Sequence, residues 1–497
     1  MPPLPLLVFT VGTGSLGAEI AAVRLLSPYF GASTVVWANT IGVVLVALSI
    51  GYWLGGRFAD RHPHMRGLCL LSLVAALLLA LVPFVADPLL NLAVSALDSI
   101  SAGAFLGSLI GVLALVALPV LLLGAVSPWA IRLAVNTVEE AGEVAGRLYA
   151  LSTAGSLVGT LLSALLLIPA VGTRRTFLIF ALAIALVAVL GLRPLKRWAL
   201  APAAIAVLMA LPVGTLKAQT DDGRVIYETD TEYQYARVIQ RDDGSRTLEL
   251  NEGQAQHSVY QPTTVLTGGV WDGALVLPFA ALNRAPRRMA ILGNAAGTTA
   301  RAYGRLFPST RIDGVELDSE LSDIGRRFFD MNNPRLRMHH EDARPWLKRS
   351  DGRYDVLIVD AYRQPYIPFY LTTKEFFELC RDRLAPGGVV MVNVGHPEGD
   401  QGLEKVAAAG MRRAFPSVVR YPIEDTNTWV VASRSRLSAG HLRGMVQRLP
   451  AGVRPTANEA ADSLGPALRG GSAYTDDRAP VEWLIDKSIV RYAAGDD

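Results

Sequence analysis

The chain has 497 residues, 51% of them hydrophobic, and a formal net charge of +3. This length exceeds what one hydrophobic core usually organises, so we expect at least two domains. The small net charge gives no reason to expect a nucleic-acid partner. The two cysteines, Cys69 and Cys380, are far apart in the chain, which argues against a disulfide framework or a cysteine metal site.

Residues 1–215 are predicted to form a transmembrane domain of about seven helices, because they consist of apolar runs of membrane-spanning length with few charges. The predicted spans are 4–26, 34–56, 67–86, 104–127, 148–170, 175–193 and 198–214. A shorter, patterned segment from Asp87 is interpreted as an interfacial helix, which leaves the count open by one. The first run lacks a preceding basic segment, so we interpret it as a retained helix and not as a cleaved signal.

Small and polar residues in these spans carry further predictions. Gly155 and Gly159 have a spacing that lets helices pack closely, although small residues are common in membrane helices generally. Glu19 is either a functional intramembrane charge or part of a structural ion pair. The basic residues between spans put the N-terminus in the cytoplasm. Seven spans would then put the rest of the chain outside, and six or eight would put it inside.

After residue 215 the composition becomes that of a soluble protein. Residues 216–285 alternate apolar and polar positions around the turn sequence DDGS, which predicts a small β-rich module. Residues 286–497 alternate strands with helices, which predicts an α/β doubly wound, Rossmann-like domain of the S-adenosylmethionine methyltransferase type. Ligands of such domains bind at the carboxyl ends of the parallel strands.

The order of residues at the strand ends indicates what this sheet binds. The first strand ends in Gly293 and the loop GNAAGTT, which allows a cofactor to approach the backbone. Glu316 ends the second strand and can accept both hydroxyls of a ribose. Asp342 and Ala343 follow where an adenine amino group would be held, and Asp360 ends the next strand. No P-loop lysine is present, so the pattern predicts an adenosine thioether site.

The soluble half resembles the spermidine synthases, the polyamine aminopropyltransferases, from about residue 225 to 393. The motifs that carry this resemblance are TEYQYARV, NAAGTTAR, GVELD, EDARPWL, YDVLIVDAY and LAPGGV. The whole chain is similar to bacterial membrane proteins that fuse such a domain to several N-terminal helices. The apolar stretch GRLYALSTAGSLVGTLLSALLLIPAVGTRR and the late YTDDRAPVEWL belong to that likeness.

The resemblance implies an activity and a role for each motif residue. Decarboxylated S-adenosylmethionine would be the co-substrate, with no metal and no permanently bound cofactor, and a putrescine-like amine would be the acceptor. Gln234 would contact the nucleoside, Glu316 the ribose, and Asp342 with Ala343 the adenine. Asp360 would accept a proton from the attacking amine, and Tyr260 would line the amine channel. The resemblance also suggests a homo-oligomer. The substrates that it implies would put the soluble half in the cytoplasm, whereas the charge bias with seven spans suggests the outside.

Two positions depart from the family pattern. Ala296 stands where typical members carry an aspartate that grips the aminopropyl amine, and Arg363 with Gln364 stands where a second amine-binding aspartate is usual. An arginine there would repel a diamine. Four other carboxylates are candidates to replace the missing amine-binding aspartates, although the simpler interpretation of each is a turn or helix-cap residue. They are Asp230, Glu252, Asp476 and Asp477. Trp271 and Trp346 are interpreted as packing residues.

Two other function classes remain open at this point. A transferase that uses intact S-adenosylmethionine would explain Ala296 and Arg363, because an arginine can pair with a substrate carboxylate. A non-catalytic sensor or a transporter would explain Glu19 and the sequence GRFADRHPHMR, which resembles a loop of major-facilitator transporters.

Overall fold

A computed structural model describes residues 4–30, 34–97, 103–211, 223–251, 256–362, 367–396 and 398–485. The chain forms two compact units. The first comprises Met1–Gln219 with Glu228–Tyr235, and the second Thr220–Tyr227 with Ala236–Asp497. The β-rich module and the α/β domain, which the sequence analysis separates, therefore cluster together for most of their length.

The first unit is helical throughout its long segments. Its helices are α1 (Leu4–Phe30), α2 (Thr34–Arg61), α3 (Met65–Leu97), α4 (Gly103–Val112), α5 (Leu118–Gly124), α6 (Val126–Ala134), α7 (Ala141–Leu162), α8 (Ile168–Val189), α9 (Leu195–Trp198) and α10 (Leu200–Ala210). Two short π-helical turns, Leu113–Ala117 and Ser163–Leu167, continue α4 and α7. Apolar side chains of α1, α2, α3 and α8 form most of the buried core.

Within the described residues, five helical segments are long and apolar enough to cross a membrane, where the sequence predicts seven spans. The fifth, Ala141–Val189, contains the predicted span 148–170 and most of the predicted span 175–193, and Gly172 with a φ of +82° interrupts it. The last prediction corresponds to α10, whose 11 residues extend roughly 16 Å at 1.5 Å per residue. The segment from Asp87 begins as a continuation of α3 and not as a separate helix.

Glycines bring α1 and α7 into backbone contact, as the spacing of Gly155 and Gly159 predicts. A Cβ atom at Gly155 would overlap the carbonyl oxygen of Phe9, and one at Gly159 would overlap that of Thr13. Ser163 Oγ donates to the carbonyl oxygen of Gly17 at 3.0 Å. Close approach of this kind replaces side-chain packing with backbone van der Waals contact and polar contacts between helices.

We expect Gly159→Ala to lower the thermal unfolding midpoint of the full chain in detergent by a few degrees, because the added methyl group forces α1 and α7 apart. Gly142→Ala is the matched control, since a Cβ at that exposed position of α7 meets no atom within 4 Å. Equal midpoints for the two variants, measured by tryptophan fluorescence, would contradict this account of the α1–α7 contact.

A small sheet follows in the order β1-β2-β3-β4, most of which belongs to the second unit. Its strands are β1 (Arg224–Asp230), β2 (Tyr235–Gln240), β3 (Arg246–Leu250) and β4 (Gln256–Tyr260). β2, β3 and β4 pair antiparallel, and the predicted turn at DDGS joins β2 to β3. On β3, Thr247, Leu248 and Leu250 are buried, and Arg246 and Glu249 are partly exposed.

An eight-stranded mixed sheet follows in the order β12-β10-β11-β9-β8-β5-β6-β7. Its strands are β5 (Arg288–Leu292), β6 (Arg311–Val315), β7 (Leu336–His339), β8 (Tyr354–Val359), β9 (Leu384–Gly395), β10 (Ser417–Glu424), β11 (Asn427–Ser433) and β12 (Gly465–Pro466). The helices are α11 (Val270–Val276), α12 (Thr298–Leu306), α13 (Ser319–Phe328), α14 (Ala343–Arg349), α15 (Lys374–Arg383), α16 (Gly402–Ala414), α17 (Ala439–Met445) and α18 (Arg454–Ser463).

The topology confirms the predicted doubly wound α/β fold. β7, β6, β5, β8 and β9 are parallel, and β11, β10 and β12 extend the sheet antiparallel beyond β9. The strand order reverses between β5 and β8, which opens a crevice beyond their carboxyl ends. β8 is buried at every position, as expected for a central strand covered by helices on both faces.

Candidate active site

Backbone hydrogen bonds bring three of the predicted site residues together at the carboxyl edge of the sheet. The amide of Gly293 donates to the carbonyl oxygen of Val315 at 2.9 Å, directly before Glu316. The amide of Asp360 donates to the carbonyl oxygen of Leu292 at 2.8 Å, directly before Gly293. Gly293, Glu316 and Asp360 therefore stand side by side at the ends of β5, β6 and β8.

Gly293 occupies a position that excludes a side chain. Its φ is +88°, and a Cβ atom would overlap the carbonyl oxygen of Asp360 and lie 2.5 Å from Cα of Ala361. The loop that follows keeps left-handed conformations at Ala295, with a φ of +43°, and at Gly297, with a φ of +89°. These turns bring the chain from β5 to the start of α12, and at Gly293 only backbone atoms border the crevice.

Glu316 is held by the glycine loop and by the helix beyond its own strand. Its Oε2 accepts a hydrogen bond from the amide of Ala295 at 2.8 Å, and its Oε1 accepts one from the amide of Asp318 at 3.2 Å. Burial raises the pKa of Glu316 to about 7, although both hydrogen bonds favour the ionised form. This carboxyl group is thus fixed in direction at the edge where a ribose is predicted.

Asp360 is held by donors from two other elements. Asn393 Nδ2, on β9, donates to its Oδ1 at 2.9 Å, and the Trp271 side chain, on α11, donates a further hydrogen bond. Asn427 Nδ2, on β11, donates to Oδ1 of Asn393 at 3.0 Å, so two amides form a chain that ends at the carboxylate. Burial nevertheless raises the pKa of Asp360 to about 6.

Trp271 and Asn393 are site residues that the sequence analysis missed. The sequence predicts a packing role for Trp271, whereas the Trp271 side chain donates a hydrogen bond to the predicted catalytic carboxylate, Asp360. The available signal was weak: Asn393 and Asn427 are polar residues in otherwise apolar strands, VVMVNVG and NTWVVAS. Since buried amides need partners, such residues are candidates for orienting a nearby charge.

We expect Asn393→Leu to raise the pKa of Asp360, because the lost donor favoured the ionised form. The acidic limb of the pH–rate profile should then move to higher pH, while the rate at high pH falls less than at pH 6. Asn332→Leu, at an exposed turn, is the control. A uniform rate loss across the pH range would indicate a packing role for Asn393 instead.

Asp342 and Ala343 lie after β7, at the start of α14. Asp342 is the N-cap of that helix: its Oδ1 accepts from the amide of Arg344 at 3.0 Å, and its Oδ2 accepts from Tyr370 Oη at 2.5 Å. Both oxygens are therefore already engaged within the protein. Contact of this pair with an adenine stays a prediction.

Tyr260 and Gln234 have contacts of their own with other residues. The Tyr260 ring packs between two guanidinium groups, 4.5 Å from that of Arg301 and 5.3 Å from that of Arg246. Gln234 is buried in the turn between β1 and β2, where its backbone amide donates to Thr231 Oγ1 at 3.0 Å. Gln234 belongs to the segment that clusters with the helical unit. The substrate roles of both residues stay predictions.

Ala296 faces protein core. It is fully buried in an apolar cluster with Leu250, Ile324 and Phe329, and its amide donates to Ser258 Oγ at 3.0 Å. The position that holds an aspartate in typical family members is therefore apolar in its surroundings as well as in its side chain.

Of the four candidate replacement carboxylates, two form contacts within the protein, one is exposed and one lies outside the described residues. Asp476 forms a two-point ion pair with Arg344 at 2.7 and 2.6 Å. Asp230 accepts from Thr173 Oγ1 at 2.5 Å, and Asp477 is exposed. Glu252, Arg363 and Gln364 lie outside the described residues, so their predicted roles stay predictions.

Comparisons with known proteins match the part of the chain that contains this site. A family model for the spermine/spermidine synthase domain matches residues 276–436. A probable polyamine aminopropyl transferase of Bifidobacterium longum is 36% identical over 176 residues, which cover 35% of this chain and 39% of that protein. A polyamine aminopropyltransferase of Vibrio vulnificus is 34% identical over 115 residues, covering 22% and 38%.

A crystal structure of a probable spermidine synthase from Corynebacterium glutamicum matches with a TM-score of 0.41 and 23% identity, over 53% of this chain and 99% of that one. The chain spans less than two fifths of the length of the two curated relatives above. The matched family segment contains Gly293, Glu316 and Asp360. The C-terminal part of the chain is therefore similar to the spermine/spermidine synthase domain over residues 276–436.

Proposed function

We propose that the chain is a membrane-bound polyamine aminopropyltransferase. It would transfer the aminopropyl group of decarboxylated S-adenosylmethionine to an amine such as putrescine and release methylthioadenosine. The observation that carries this proposal is the adjacency of Gly293, Glu316 and Asp360 at the switch point of the sheet, inside the matched domain. The curated relatives named above are aminopropyl transferases by name, which supports the same activity.

The chemistry requires a base and correct alignment. The amine nitrogen attacks the methylene carbon bonded to the sulfonium, a C–N bond forms, and the C–S bond breaks with its electron pair going to sulfur. Because an alkyl ammonium cannot attack, its proton has to leave first, and Asp360 is the group we assign to accept it. Glu316 would hold the ribose, so that the reacting carbon points at the acceptor.

The raised pKa values suit this reaction. Burial raises the pKa of Asp360 to about 6 and that of Glu316 to about 7. A sulfonium and an ammonium bound there would each stabilise a neighbouring carboxylate. The neutral thioether product would not, which favours release of the nucleoside.

We expect kcat/KM for the donor to rise with pH between about 6 and 7 and then to level off. Both pKa values are raised, so both groups are protonated below this window and ionised above it. kcat/KM reports the free enzyme, which makes it the appropriate readout. Glu316→Gln should leave a single limb near pH 6. A flat profile from pH 5 to 8 would contradict the assignment of both groups.

The test of the function is product identity. The full chain in detergent would be incubated with decarboxylated or intact S-adenosylmethionine and a set of amines, followed by mass spectrometry of the nucleoside. Methylthioadenosine from the decarboxylated donor, dependent on an amine, is the expected result. No product from either donor would overturn the enzymatic proposal and favour a sensor or a transporter.

One observation favours a second candidate function, transfer from intact S-adenosylmethionine. The Ala296 side chain packs in an apolar cluster, so the glycine loop offers no carboxylate at this position to an aminopropyl ammonium. S-adenosylhomocysteine, or methylthioadenosine formed from the intact donor, would establish that reaction in place of the first.

The membrane part of the proposal is supported by the five apolar helical segments of the first unit. Their exposed faces carry large apolar side chains, such as Leu45, Trp53 and Leu165, which a lipid bilayer would cover. We therefore assign the first unit as a multi-pass membrane anchor. Homo-oligomer formation stays an expectation.

A further inference from the structure

Contacts inside the helical unit fix the relative directions of its helices. α1 and α7 run parallel, because Phe9 and Thr13 meet Gly155 and Gly159 in the same order along both chains, and Gly17 meets Ser163 one turn later. α8 runs antiparallel to α1: Gly14 approaches Ile184, whereas Gly17 approaches Phe180. The start of α1, the start of α7 and the end of α8 therefore share one end of the unit.

α2 and α6 end at this same end. α2 runs parallel to α5 and α6, since Gly51 approaches Leu121, Gly55 approaches Ala125, and Asp60 pairs with Arg132 at 3.2 Å. Only residues 135–140 separate the end of α6 from the start of α7. We call this shared end the basic end, defined by residues 57–66, 132–147 and 191–198.

The basic end carries most of the positive charge of the unit, and that charge is exposed. Its eight exposed cations are Arg57, Arg61, Arg66, Arg132, Arg147, Arg193, Lys196 and Arg197. Four carboxylates lie at the same end, Asp60, Glu139, Glu140 and Glu143, which leaves a formal net charge of +4. Exposed aromatic rings lie beside them: Trp53 is 61% exposed and 5.1 Å from the Arg57 guanidinium, and Tyr149 is 52% exposed. Exposed cations beside exposed aromatic rings fit the interface between anionic headgroups and acyl chains.

The opposite end has three basic residues on its helices, and all three are half-buried: Arg24, Arg174 and Arg175. Arg24 donates to the carbonyl oxygen of Glu232, and the Arg174 guanidinium lies 4.1 Å from the Phe84 ring centroid. Two of these three cations are therefore used in contacts within the unit.

The chain leaves the helical unit at the opposite end. Residues 228–235 belong to this unit, and they contact it through Asp230 with Thr173 and Glu232 with Arg24, both at the opposite end. Since α8 ends at the basic end, the chain crosses the unit once more between residues 190 and 228. α10 occupies Leu200–Ala210 of that stretch and packs on α8.

We propose that the basic end lies on the anionic headgroups of the cytoplasmic leaflet, and that the chain continues from residue 236 on the non-cytoplasmic side of the membrane. The proposal rests on the membrane part of the proposed function. Positively charged connectors stay in the cytoplasm, which sets the orientation. The five apolar segments make six crossings, because α7 and α8 of the fifth run in opposite directions, and residues 190–228 make the seventh; this odd number sets the exit side. A transport step must then deliver the nucleoside donor across the membrane before transfer.

Cysteine labelling of the full chain tests the proposal. In a background with Cys69→Ser and Cys380→Ser, two exposed positions receive single cysteines: Val138→Cys, at the basic end, and Asp242→Cys, in the β2–β3 turn. A membrane-impermeant maleimide is applied to spheroplasts and to inverted vesicles. We expect Asp242→Cys to label in spheroplasts only, and Val138→Cys in inverted vesicles only.

Each other outcome overturns a defined part. Labelling of both positions from one side would contradict the crossing between residues 190 and 228. The reversed pattern would contradict the cytoplasmic orientation of the basic end. Labelling of both positions in both preparations would overturn membrane crossing itself, whereas the transfer assay in detergent would still test the enzymatic proposal separately.

Charge variants test the cause of the orientation. Neutralising Arg57, Arg61 and Arg66 to glutamine should produce a mixed population, in which part of the Val138→Cys protein labels in spheroplasts. The matched control neutralises three exposed arginines of the second unit, Arg311, Arg335 and Arg337. An unchanged labelling pattern in the variant that lacks Arg57, Arg61 and Arg66 would contradict the assignment of the basic end as the determinant of membrane orientation.

Discussion

Asp360→Asn is expected to lower turnover by roughly 10²–10⁴-fold while donor affinity stays within about twofold. The amide cannot accept the proton of the attacking ammonium, but it keeps the size of the side chain and its oxygen can still accept from Asn393. The ribose and the glycine loop are untouched by this change. Single-turnover formation of the nucleoside product would give the rate, and calorimetry with the donor would give the affinity.

Asp323→Asn is the matched control for this variant. Asp323 is an exposed carboxylate on α13 that pairs with Arg326 on the same helix at 2.7 Å, so its loss should change neither quantity. If Asp360→Asn weakened donor binding as much as it slowed turnover, Asp360 would be a binding group and the base would have to be sought elsewhere.

The adjacency at the centre of this site could be predicted from the sequence. Gly293, Glu316 and Asp360 each follow a buried apolar run, and parallel strands of a doubly wound sheet end at one edge. Their meeting therefore needs no knowledge of side-chain contacts. The donors to Asp360 could not be predicted in the same way. Trp271 and Asn393 come from a helix and a strand far apart in the chain, and neither carries a motif.

Side-chain direction and helix continuity were the other limits of sequence analysis. The motif NAAGTTAR places Ala296 in the glycine loop, but only its packing with Leu250 and Phe329 reveals that the Ala296 side chain faces the core. Hydropathy separates 148–170 from 175–193 because Arg174 and Arg175 intervene. In the structure these residues lie in one helical segment interrupted at Gly172, with Arg174 satisfied by an aromatic ring. Asp342 also reads as a ligand residue, whereas its local geometry is that of a helix cap.

Glu316→Gln is expected to weaken donor binding by roughly 1–3 kcal/mol, or about 5- to 150-fold, the cost of losing a charged hydrogen bond to a buried partner. The glutamine keeps one acceptor oxygen and introduces an NH₂ group toward either the amide of Ala295 or that of Asp318, which are both donors. One donor–donor contact must then replace a hydrogen bond. The loss should appear in the dissociation constant, measured by calorimetry at pH 8, where the native carboxylate is ionised.

The pH dependence of that loss separates binding from local packing. Because burial raises the pKa of Glu316 to about 7, the native group is mostly neutral at pH 6, and the native protein and the variant should then bind the donor more similarly than at pH 8. Glu459→Gln, at an exposed position of α18, should leave affinity unchanged at both pH values. A variant defect equally large at pH 6 and pH 8 would mean that the substitution distorts the glycine loop. The ribose would then be held by the backbone of that loop and not by the carboxylate.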